Sequence, residues 1–576
     1  MKKRLTLSAA MFCAAPFGAA AQPQTPQIPI ALVERMPDLP SPYKIKDWRA
    51  IACEQDRLLY NFDARGALLP LGWWDDSGYN FRGRAFGIAS YVGQTRSRRA
   101  SYVYESLPVM GSIIGATLAG IDKSDQRGVD YVSMIRQFYT RRSGLNLIQN
   151  SPNRTRTGES FWYEIFPGMA FSMICDLYPD NRELSSLMLS NAGKWLEAVR
   201  ALSRGRDYPD FDWTGYDFET GAGRYNGRWR EPDAAAGVAW LEYAAWRRSG
   251  DEKFLAGALA CLRFLDERDA AEGPYYEIML PWGACLAVRL NAERGTAFDE
   301  RKMLAWCFDG HNTDRDGWGV VADRWNGYDV HGLVGQKKYE GYAFAMNTFS
   351  QIAALVPVVK YNAAYSHAIA KWVLNAVNAA RLFYADEHPR NRQTSALWQG
   401  DPAHAICYEG LRSSLRGNRF EPFLGVLAPE GPYAVGDHLK NYQSYTDLCP
   451  YGSAWSGMLA GIVQTTDVEG ILQLDCNATD FFGDRSLPHY LVFNPHPENR
   501  LVAVKLPQTA SDLYDLVSGR YVARNVTETV RLDMAGRQTL NLVCIPAGRK
   551  LRRTAGRLAV GQSIVDYRQK CEKNNE

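Results

Sequence analysis

The stretch SFWYEIFPGMAF, residues 160–171, places one glutamate, Glu164, at the start of an otherwise apolar run. The spacing predicts a helix over 164–177 that is apolar nearly all round, and a helix of that kind is buried on every side. An acid opens an apolar helix again in YVYESLPVMG (102–111), REPDAAAGVAW (230–240), YYEIMLPWGA (275–284) and KYEGYAFAMN (338–347). The recurrence predicts a fold in which several buried helices present acids at the same end.

Apolar residues spaced three and four apart predict twelve helices of two alternating kinds. The buried kind is predicted at 105–119, 164–177, 233–247, 277–292, 340–356 and 451–463. The amphipathic kind is predicted at 45–62, 127–141, 181–201, 251–267, 299–308 and 361–382. Six one-sided helices around six buried helices make a double ring. The predicted fold class is therefore mainly α, an (α/α)6 toroid.

The links between the helices also alternate in length. The link after a buried helix is short, whereas the link after an amphipathic helix is long in every case except 268–276. Successive helices alternate in direction, so the long links share one face, and long ordered loops are usually functional. We expect the acids at the buried helix starts to converge beneath that face: Glu105, Glu164, Asp233, Glu277 and Glu340. The structural alternative for each acid is capping or the helix dipole.

The two ends of the chain differ from the helical region. Residues 1–21 join a basic start to an apolar run and small residues, which is typical of a signal peptide, and Cys13 leaves lipidation as the alternative. We therefore expect an exported protein, periplasmic or secreted. Later segments are predicted as an extended stretch (22–44), the toroid (45–483), a small antiparallel β-sandwich (484–549) and a polar tail (550–576).

Composition and motifs exclude several classes of function. The formal charge of +3 falls to zero without the three basic residues of 1–21, so no basic excess favours nucleic acid. No later stretch is long and apolar enough to span a membrane. Walker, dinucleotide, G-x-S-x-G and H-E-x-x-H motifs do not stand out, and DRDGWG (314–319) lacks the spacing of a calcium loop. We expect neither a metal nor a cofactor.

The long loops carry side chains that suit a polar, ring-shaped ligand. Segments 202–232, 309–339 and 383–450 mix carboxylates with tryptophan, tyrosine and arginine. Carboxylates accept hydrogen bonds from hydroxyls, aromatic rings pack on sugar faces, and arginine binds a carboxylate through two parallel bonds. The predicted ligand is therefore a glycan.

At this point the chain resembles the bacterial six-hairpin glycosidases, and among them exported uronate-acting hydrolases of the β-glucuronidase type. IKDW (45–48), REPDAAAGVAWLEYAAW (230–246), GYAFAMNTF (341–349) and CYEGLR (407–412) carry the resemblance. It implies inverting hydrolysis by two carboxylates drawn from Glu164, Glu340 and Glu409. It further implies arginines that bind a uronate carboxylate, Arg228, Arg230 or Arg412, and tryptophans that stack on the sugar, Trp162, Trp229 and Trp325.

Two other functions remain open from the residues. A polysaccharide lyase would abstract the proton beside the uronate carboxylate with tyrosine or histidine, and its candidates are Tyr328, His331, Tyr342 and Asn347. A non-catalytic glycan-binding protein would keep the aromatic residues but would not need the recurring acids. The sugar, the linkage and the oligomeric state are left open.

Overall fold

The computed structural model describes residues 24–66, 68–94, 100–310, 314, 317–338, 341–394, 402–415, 427–436, 446–554 and 556–568. Glu340, one of the predicted catalytic acids, lies outside the described residues. The predicted signal peptide, 1–21, also lies outside them.

Each of the twelve predicted helices has a counterpart among the described residues. In chain order they are α1 Trp48–Leu59, α2 Ser106–Leu118, α3 Tyr131–Met134, α4 Phe161–Leu177, α5 Arg182–Ser203, α6 Ala234–Ser249, α7 Glu252–Glu267, α8 Met279–Arg294, α9 Glu300–Asp309, α10 Ala345–Leu355, α11 Ser366–Ala380 and α12 Gly457–Ile462. Short additional helical turns are Ala31–Glu34, Val358–Tyr361, Pro402–Ala405 and Pro450–Ser453, with 3-10 turns at Ile135–Phe138, Ala363–Tyr365, Arg381–Phe383, Ala385–Glu387, Arg390–Arg392 and Ala454–Ser456.

Three of the helices differ markedly from their predicted extent. In the segment predicted as 451–463, α12 is confined to Gly457–Ile462, after a helical turn and a 3-10 turn. The segment predicted as 127–141 contains one α-helical turn, α3, followed by a 3-10 turn. The helix predicted over 340–356 begins only at Ala345, because Tyr342–Phe344 is a strand. The backbone N–H and C=O groups of residues 342–344 therefore form hydrogen bonds with neighbouring strands, which the helical spacing of apolar residues does not reveal.

The even-numbered helices form an inner layer. Each packs against the next even-numbered helix, and α12 packs against α2, so the contacts close a ring. The odd-numbered helices, or the 3-10 turn after α3, pack against this layer from outside. The region that contains the twelve helices is therefore mainly helical, as predicted.

Small residues allow the inner helices to approach one another closely. A Cβ on Gly457 would lie 2.2 Å from the Cα of Gly115, and a Cβ on Gly283 would lie 2.3 Å from the Cβ of Ala236. Side chains at these positions would force the helices apart. The Gly- and Ala-rich composition of the buried helices is therefore a packing requirement of the ring.

The outer and inner helices begin differently. The outer helices α1, α3, α5, α7 and α9 each start with a side-chain cap that accepts a hydrogen bond from the first turn, from Asp47, Asp130, Asn181, Asp251 and Asp299. In the described part of the chain, the N-cap residues of α2, α4, α6, α8 and α10 make no such bond. The acids at the inner helix starts are thus not ordinary N-caps of their own helices.

Helix α11 departs from the amphipathic pattern of the outer helices. Almost all of Ser366–Ala380 is buried. Strands of the C-terminal region and the turn Ala31–Glu34 pack against it. Its outward face is therefore covered by the two ends of the chain.

Short strands form within the long loops. Antiparallel hairpins pair β1 Gly72–Asp75 with β2 Ala85–Ile88, β3 Gly215–Asp217 with β4 Ala222–Arg224, and β6 Arg324–Trp325 with β7 Tyr328–Asp329. A five-stranded sheet has the order β11-β10-β9-β8-β5, formed by Tyr433–Val435, Gly410–Arg412, Tyr342–Phe344, Val334–Gln336 and Trp318–Val320. This sheet joins two loops far apart in the sequence, and the helical periodicity of the apolar residues did not predict it.

The C-terminal region is rich in sheet. A six-stranded sheet has the order β12-β13-β14-β19-β16-β17, formed by Val463–Thr465, Leu472–Asp475, His489–Phe493, Thr539–Pro546, Ser511–Asp515 and Arg520–Val526. The ribbon of β15 Arg500–Lys505 and β18 Thr529–Met534 shares an apolar cluster with that sheet. Strands thus begin before residue 484. The predicted polar tail also differs, because β20 Arg552–Thr554, β21 Arg557–Val560 and β22 Ser563–Asp566 form a sheet.

A buried cluster of charges joins the helical and sheet regions. Asp480 is fully buried, and it accepts hydrogen bonds from Arg289 of α8, from Lys360 and from the Tyr361 hydroxyl. Arg289 and Lys360 hold the pKa of Asp480 below its usual value, although burial alone would raise it. This carboxylate is therefore charged, and it fixes the inner layer to the segment between β13 and β14 of the C-terminal sheet.

Within the described ranges, no helix has the length and apolar character needed to cross a membrane. The nine cysteines that the structure describes are all free thiols.

Candidate functional site

The acids near the inner helix starts fall into two groups by exposure. Glu164, Glu231 and Asp233 are fully buried, with at most 1% of each residue exposed. Glu105, Glu277 and Glu409 are half-buried. A group that touches a substrate must be reachable from the loops, so the two groups have different roles.

Glu164 holds the loop that precedes its own helix. Its Oε1 accepts hydrogen bonds from the backbone N–H groups of Gly158, at 2.7 Å, and Glu159, at 2.9 Å. Burial raises the pKa of Glu164 to about 8, although these two bonds favour the carboxylate. Its Oε2 is buried and has no hydrogen-bond partner among the described residues. This predicted catalytic acid is thus placed as a loop tether.

Glu231 ties the start of α6 to the start of α4. It accepts hydrogen bonds from the backbone N–H of Trp162 at 2.8 Å, from the Ser160 hydroxyl and from the Trp229 indole at 3.1 Å. Burial raises its pKa to about 7, and the neighbouring Glu277 acts in the same direction. The side chain of Ser160, the N-cap residue of α4, makes no capping hydrogen bond. Glu231 therefore caps α4 from the neighbouring segment.

Asp233 makes the equivalent link to the next inner helix. Its carboxylate accepts the backbone N–H of Tyr276, just before α8, at 3.2 Å. Burial, followed by the charge of Glu231 and that of Glu277, raises the pKa of Asp233. Three carboxyl groups, those of Glu231, Asp233 and Glu277, therefore lie within electrostatic range of one another.

Glu277 is held in an unusual backbone conformation. Its φ is +65°, a region that non-glycine residues rarely adopt and that costs about 1–3 kcal/mol. Its carbonyl oxygen accepts a hydrogen bond of 2.8 Å from the side-chain amide of Asn347, on α10. Strain of this kind persists where the surroundings impose it, and it is often found at active sites. Here it positions a half-buried carboxylate at the entry of α8.

Glu409 lies at the edge of the five-stranded sheet. The Tyr342 hydroxyl donates a hydrogen bond of 2.7 Å to its Oε2, and its carbonyl oxygen accepts the backbone N–H of Ala345, the first residue of α10. Arg412 lies across the sheet from Tyr342, with its guanidinium carbon 3.5 Å from the centre of the tyrosine ring. The pairing of β9 with β10 thus brings Glu409, Tyr342 and Arg412 together at the entry of α10.

The three half-buried acids surround the segment before the sixth inner helix. Burial, followed by Tyr163, Glu105 and Glu277, raises the pKa of Tyr451. Burial, followed by Glu409 and then others that include Glu105, raises the pKa of Cys449. Hydrogen bonds place the three acids around this segment. The Ser90 hydroxyl donates to Glu105, and the Ser90 carbonyl accepts the backbone N–H of Tyr451. The carbonyl oxygens of Glu277 and Glu409 accept from Asn347 and Ala345 of α10, which packs against the turn Pro450–Ser453.

A cavity of about 650 Å³ opens beside Glu105. Glu105 accepts hydrogen bonds from the Ser90 hydroxyl and, at 3.0 Å, from the Asn150 amide. The volume lies within the range of small-molecule sites. Its mixed charged, amide and aromatic lining suits a polar ligand.

The predicted tryptophans do not all face this region. Trp162 is 3% exposed, and its ring stacks on that of Tyr451 with 6.3 Å between centroids. Trp229 is half-buried and donates to Glu231. Trp325 is buried in the helical core and belongs to the β6–β7 hairpin. Two of the three, Trp162 and Trp229, therefore stabilise the region that holds the acids.

The predicted uronate-binding arginines also separate. Arg230 binds both carboxylate oxygens of Asp314, at 2.7 and 2.9 Å, so an acid of the chain itself occupies its guanidinium. Arg228 is exposed, and its backbone N–H is held by Asn226. Arg412 packs against Tyr342 and is only 4% exposed, so its guanidinium is buried beside the ring that binds Glu409.

The residues of the predicted lyase set have separate surroundings. Tyr328 stacks on His388, at 5.9 Å between ring centres. His331 contacts Asp329 through its Nδ1 at 2.6 Å. Tyr342 and Asn347 instead contact Glu409 and Glu277. The four side chains thus make contacts in two different places.

Sequence reasoning missed the contribution of Tyr451 and of the amide Asn150. Tyr451 occupies the start of the sixth predicted buried helix, the position at which the other helices carry an acid. A rule based on position instead of residue type would have found it. Within the described ranges, no group of three or more His, Cys, Asp or Glu side chains is arranged to hold a metal ion.

No protein-family model matches the chain, and no curated protein matches it either. Among solved structures, the chain is similar to a D-mannose isomerase, with 11% identity and a TM-score of 0.38 over 72% of this chain and 97% of the other. It is also similar to a GH127 β-L-arabinofuranosidase from Geobacillus stearothermophilus T6, with 10% identity and a TM-score of 0.35 over 91% and 85%. Another GH127 β-arabinofuranosidase gives 10% identity and a TM-score of 0.36 over 92% and 84%. Because these TM-scores lie below 0.5, the function proposed below rests on the site itself.

Proposed function

We propose that the protein is a glycoside hydrolase. The observation that carries the proposal is the convergence of Glu105, Glu277 and Glu409, three half-buried acids, around the start of α10 and the turn Pro450–Ser453. Asp233 already holds the start of α8 through the N–H of Tyr276, so the Glu277 carboxyl is not needed as a cap there. Two positioned carboxyl groups are the equipment that most glycosidases use.

We assign the chemistry to Glu277 and Glu409. Glu277, held at the entry of α8 by its strained backbone and by Asn347, is assigned as the general acid. Glu409, which accepts from the Tyr342 hydroxyl, is assigned as the general base that activates water. Glu340 remains a sequence-based candidate for either role.

The finer parts of the proposal follow the resemblance of the sequence. The closed ring of inner helices, with outer helices packed on it, supports an (α/α)6 toroid, and the shared apolar cluster of ribbon and sheet supports a β-sandwich. We propose an exported, inverting exo-enzyme of the β-glucuronidase type that acts on glycans containing uronic acid.

The test is to incubate the purified protein with aryl β-glucuronides and uronate oligosaccharides, and with neutral glycans of matched length. Released sugar and the ultraviolet absorbance of the products are followed together. With the oligosaccharides, hydrolysis releases sugar without new absorbance, whereas elimination creates an unsaturated sugar that absorbs. The aryl β-glucuronides are followed by released uronic acid alone, because the freed phenol absorbs. Hydrolysis of any of these glycans would support the proposal, and new absorbance from the uronate oligosaccharides would overturn it in favour of a lyase.

The matched variants are Glu277→Gln, Glu409→Gln and the surface control Glu183→Gln. Removal of a general acid or base is expected to lower kcat by about 10²–10⁴, while the control keeps the wild-type rate. Binding that persists without turnover in the wild type would instead identify a glycan-binding protein. Full activity in both Glu277→Gln and Glu409→Gln would reject the assignment of the pair.

A further inference from the structure

The cavity beside Glu105 has a positively charged wall. Arg154 and Arg156 both pair with one carboxylate, Glu159; the Arg156 contact is 3.1 Å. Two guanidinium groups therefore share a single negative charge, and one positive charge is in excess on this wall. The Arg156 side chain is 79% exposed, so its guanidinium can reorient at little cost. The wall is suited to a ligand that brings a further anion.

An aromatic surface and a hydrogen-bonding surface complete the cavity. Tyr163 is 45% exposed, which is uncommon for a large aromatic side chain, and its ring lies edge-on to Trp162 at 4.6 Å. Asn150 and Asn153 also line the cavity, as does Glu105. Rings that present a face to a cavity pack on sugar rings, and the amides and carboxylate bind hydroxyl groups.

Glu105 connects the cavity with the proposed catalytic region. Glu105 and Ser90 both line the cavity, Ser90 donates its hydroxyl to Glu105, and the Ser90 carbonyl accepts the backbone N–H of Tyr451. Trp162, which holds the exposed Tyr163, stacks on the same Tyr451. A glycan that occupies the cavity would thus extend towards Glu277.

We propose that this cavity is a subsite for a uronic acid residue, with Arg156 and Arg154 binding the sugar carboxylate and Tyr163 packing on the ring face. This proposal rests on the proposed function, and it moves the carboxylate recognition from Arg228, Arg230 and Arg412 to the segment before α4. A planar carboxylate matches the bidentate geometry of arginine. Because Glu105 also lines the cavity, the preference for an acidic sugar over a neutral one comes from direct pairing with the two guanidinium groups.

The test compares a uronate trisaccharide with the same trisaccharide after reduction of its carboxyl groups to primary alcohols. Binding is measured by calorimetry in the Glu409→Gln protein, which prevents turnover. We expect the charged glycan to bind about 10- to 100-fold more tightly, as is typical of a hydrogen-bonded charged pair. Arg156→Gln, combined with Arg154→Gln, should remove most of this preference.

Two controls separate recognition from general charge effects. Arg206→Gln removes a surface arginine that is also paired with one acid, Asp210, and it should keep the preference. Tyr163→Phe should keep the affinity for both glycans, whereas Tyr163→Ala should weaken both by about tenfold. Circular dichroism of each variant confirms that it is folded.

The outcomes distinguish this subsite from the proposed function. Hydrolysis without any preference for the charged glycan, or a preference that survives in the Arg154/Arg156 double variant, overturns the subsite and leaves the hydrolase standing. A preference that is lost in the double variant of a protein without hydrolytic activity supports the subsite and overturns the hydrolase. Tighter binding of a sulfated trisaccharide than of the uronate one would overturn the assignment to a carboxylate.

Discussion

Replacing Glu164 by glutamine tests whether this acid is a buried tether. The native residue is 1% exposed, and burial raises its pKa from the ordinary 4.5 to about 8. Between these two pH values the folded protein holds a proton that the unfolded chain has released. The stability due to this group is therefore full below pH 4.5 and is lost as the pH rises towards 8. At about 1.36 kcal/mol per pH unit, the difference corresponds to about 5 kcal/mol.

Glutamine retains an acceptor oxygen for the N–H groups of Gly158 and Glu159 but does not titrate. We expect the unfolding free energy of the wild type, relative to Glu164→Gln, to fall by about 5 kcal/mol from about pH 4.5 to about pH 8. The assay is urea unfolding followed by tryptophan fluorescence across this pH range. Glu183→Gln, an exposed acid paired with Arg136, is the control and should show no such change.

A difference between wild type and Glu164→Gln that stays constant over the whole pH range would refute the reasoning. Activity provides a second criterion, because Glu164 is also a catalytic candidate from the sequence. A folded Glu164→Gln protein should keep kcat within about tenfold of the wild type. A loss of about 100-fold or more would mean that Glu164 takes part in the chemistry.

Three further substitutions test the packing and the buried charges by urea unfolding. Gly457→Ala should destabilise the protein by about 1–3 kcal/mol, because the new Cβ would lie 2.2 Å from the Cα of Gly115. Asp480→Asn should cost about 3–5 kcal/mol, because it leaves two buried cations without their shared carboxylate. Glu242→Met should stabilise the protein by about 1–3 kcal/mol, because neither oxygen of this buried acid has a hydrogen-bond partner in the described part of the chain.

Each of these has a matched control. Gly193→Ala adds a Cβ on α5 with no described atom within 4 Å, and it should leave stability unchanged or raise it by up to about 1 kcal/mol. Asp467→Asn and Glu197→Met change exposed acids, and both should lie within about 0.5 kcal/mol of the wild type. If Gly457→Ala has the same unfolding free energy as Gly193→Ala, the close approach of α2 and α12 is contradicted. If Glu242→Met is less stable than the wild type, the Glu242 carboxyl has a favourable partner. If Asp480→Asn leaves the unfolding free energy unchanged, the buried charge cluster adds nothing to stability.

The pattern of helices could be predicted because it is local. Whether a helix is buried on one side or all round is written in its own dozen residues, so the alternation was visible without knowledge of the partners. The acids at the inner helix starts were visible for the same reason. Helix α10 shows where this fails: Tyr342–Phe344 is apolar like a helix start, but it pairs with Gly410–Arg412 about 70 residues later.

The roles of the acids depended on contacts between distant segments. Glu231 and Glu277 stand in similar sequence surroundings, yet one binds the N-terminus of α4 and the other is half-exposed with a strained backbone. Arg230 has the residue type for binding a substrate carboxylate, but Asp314 from another loop already occupies it. Side-chain exposure and pairing are properties of the assembled loops, and no local pattern encodes them.

The sequence alone therefore determined the helical alternation, the length asymmetry of the loops and the placement of acids at the entries of the buried helices. Each of these depends on the short-range periodicity of side chains along one segment. Only the tertiary structure decided which acids are tethers and which are accessible, and where the charged cavity lies. Those properties depend on which residues from separate segments come within a few ångströms of each other, and on how much water their packing excludes.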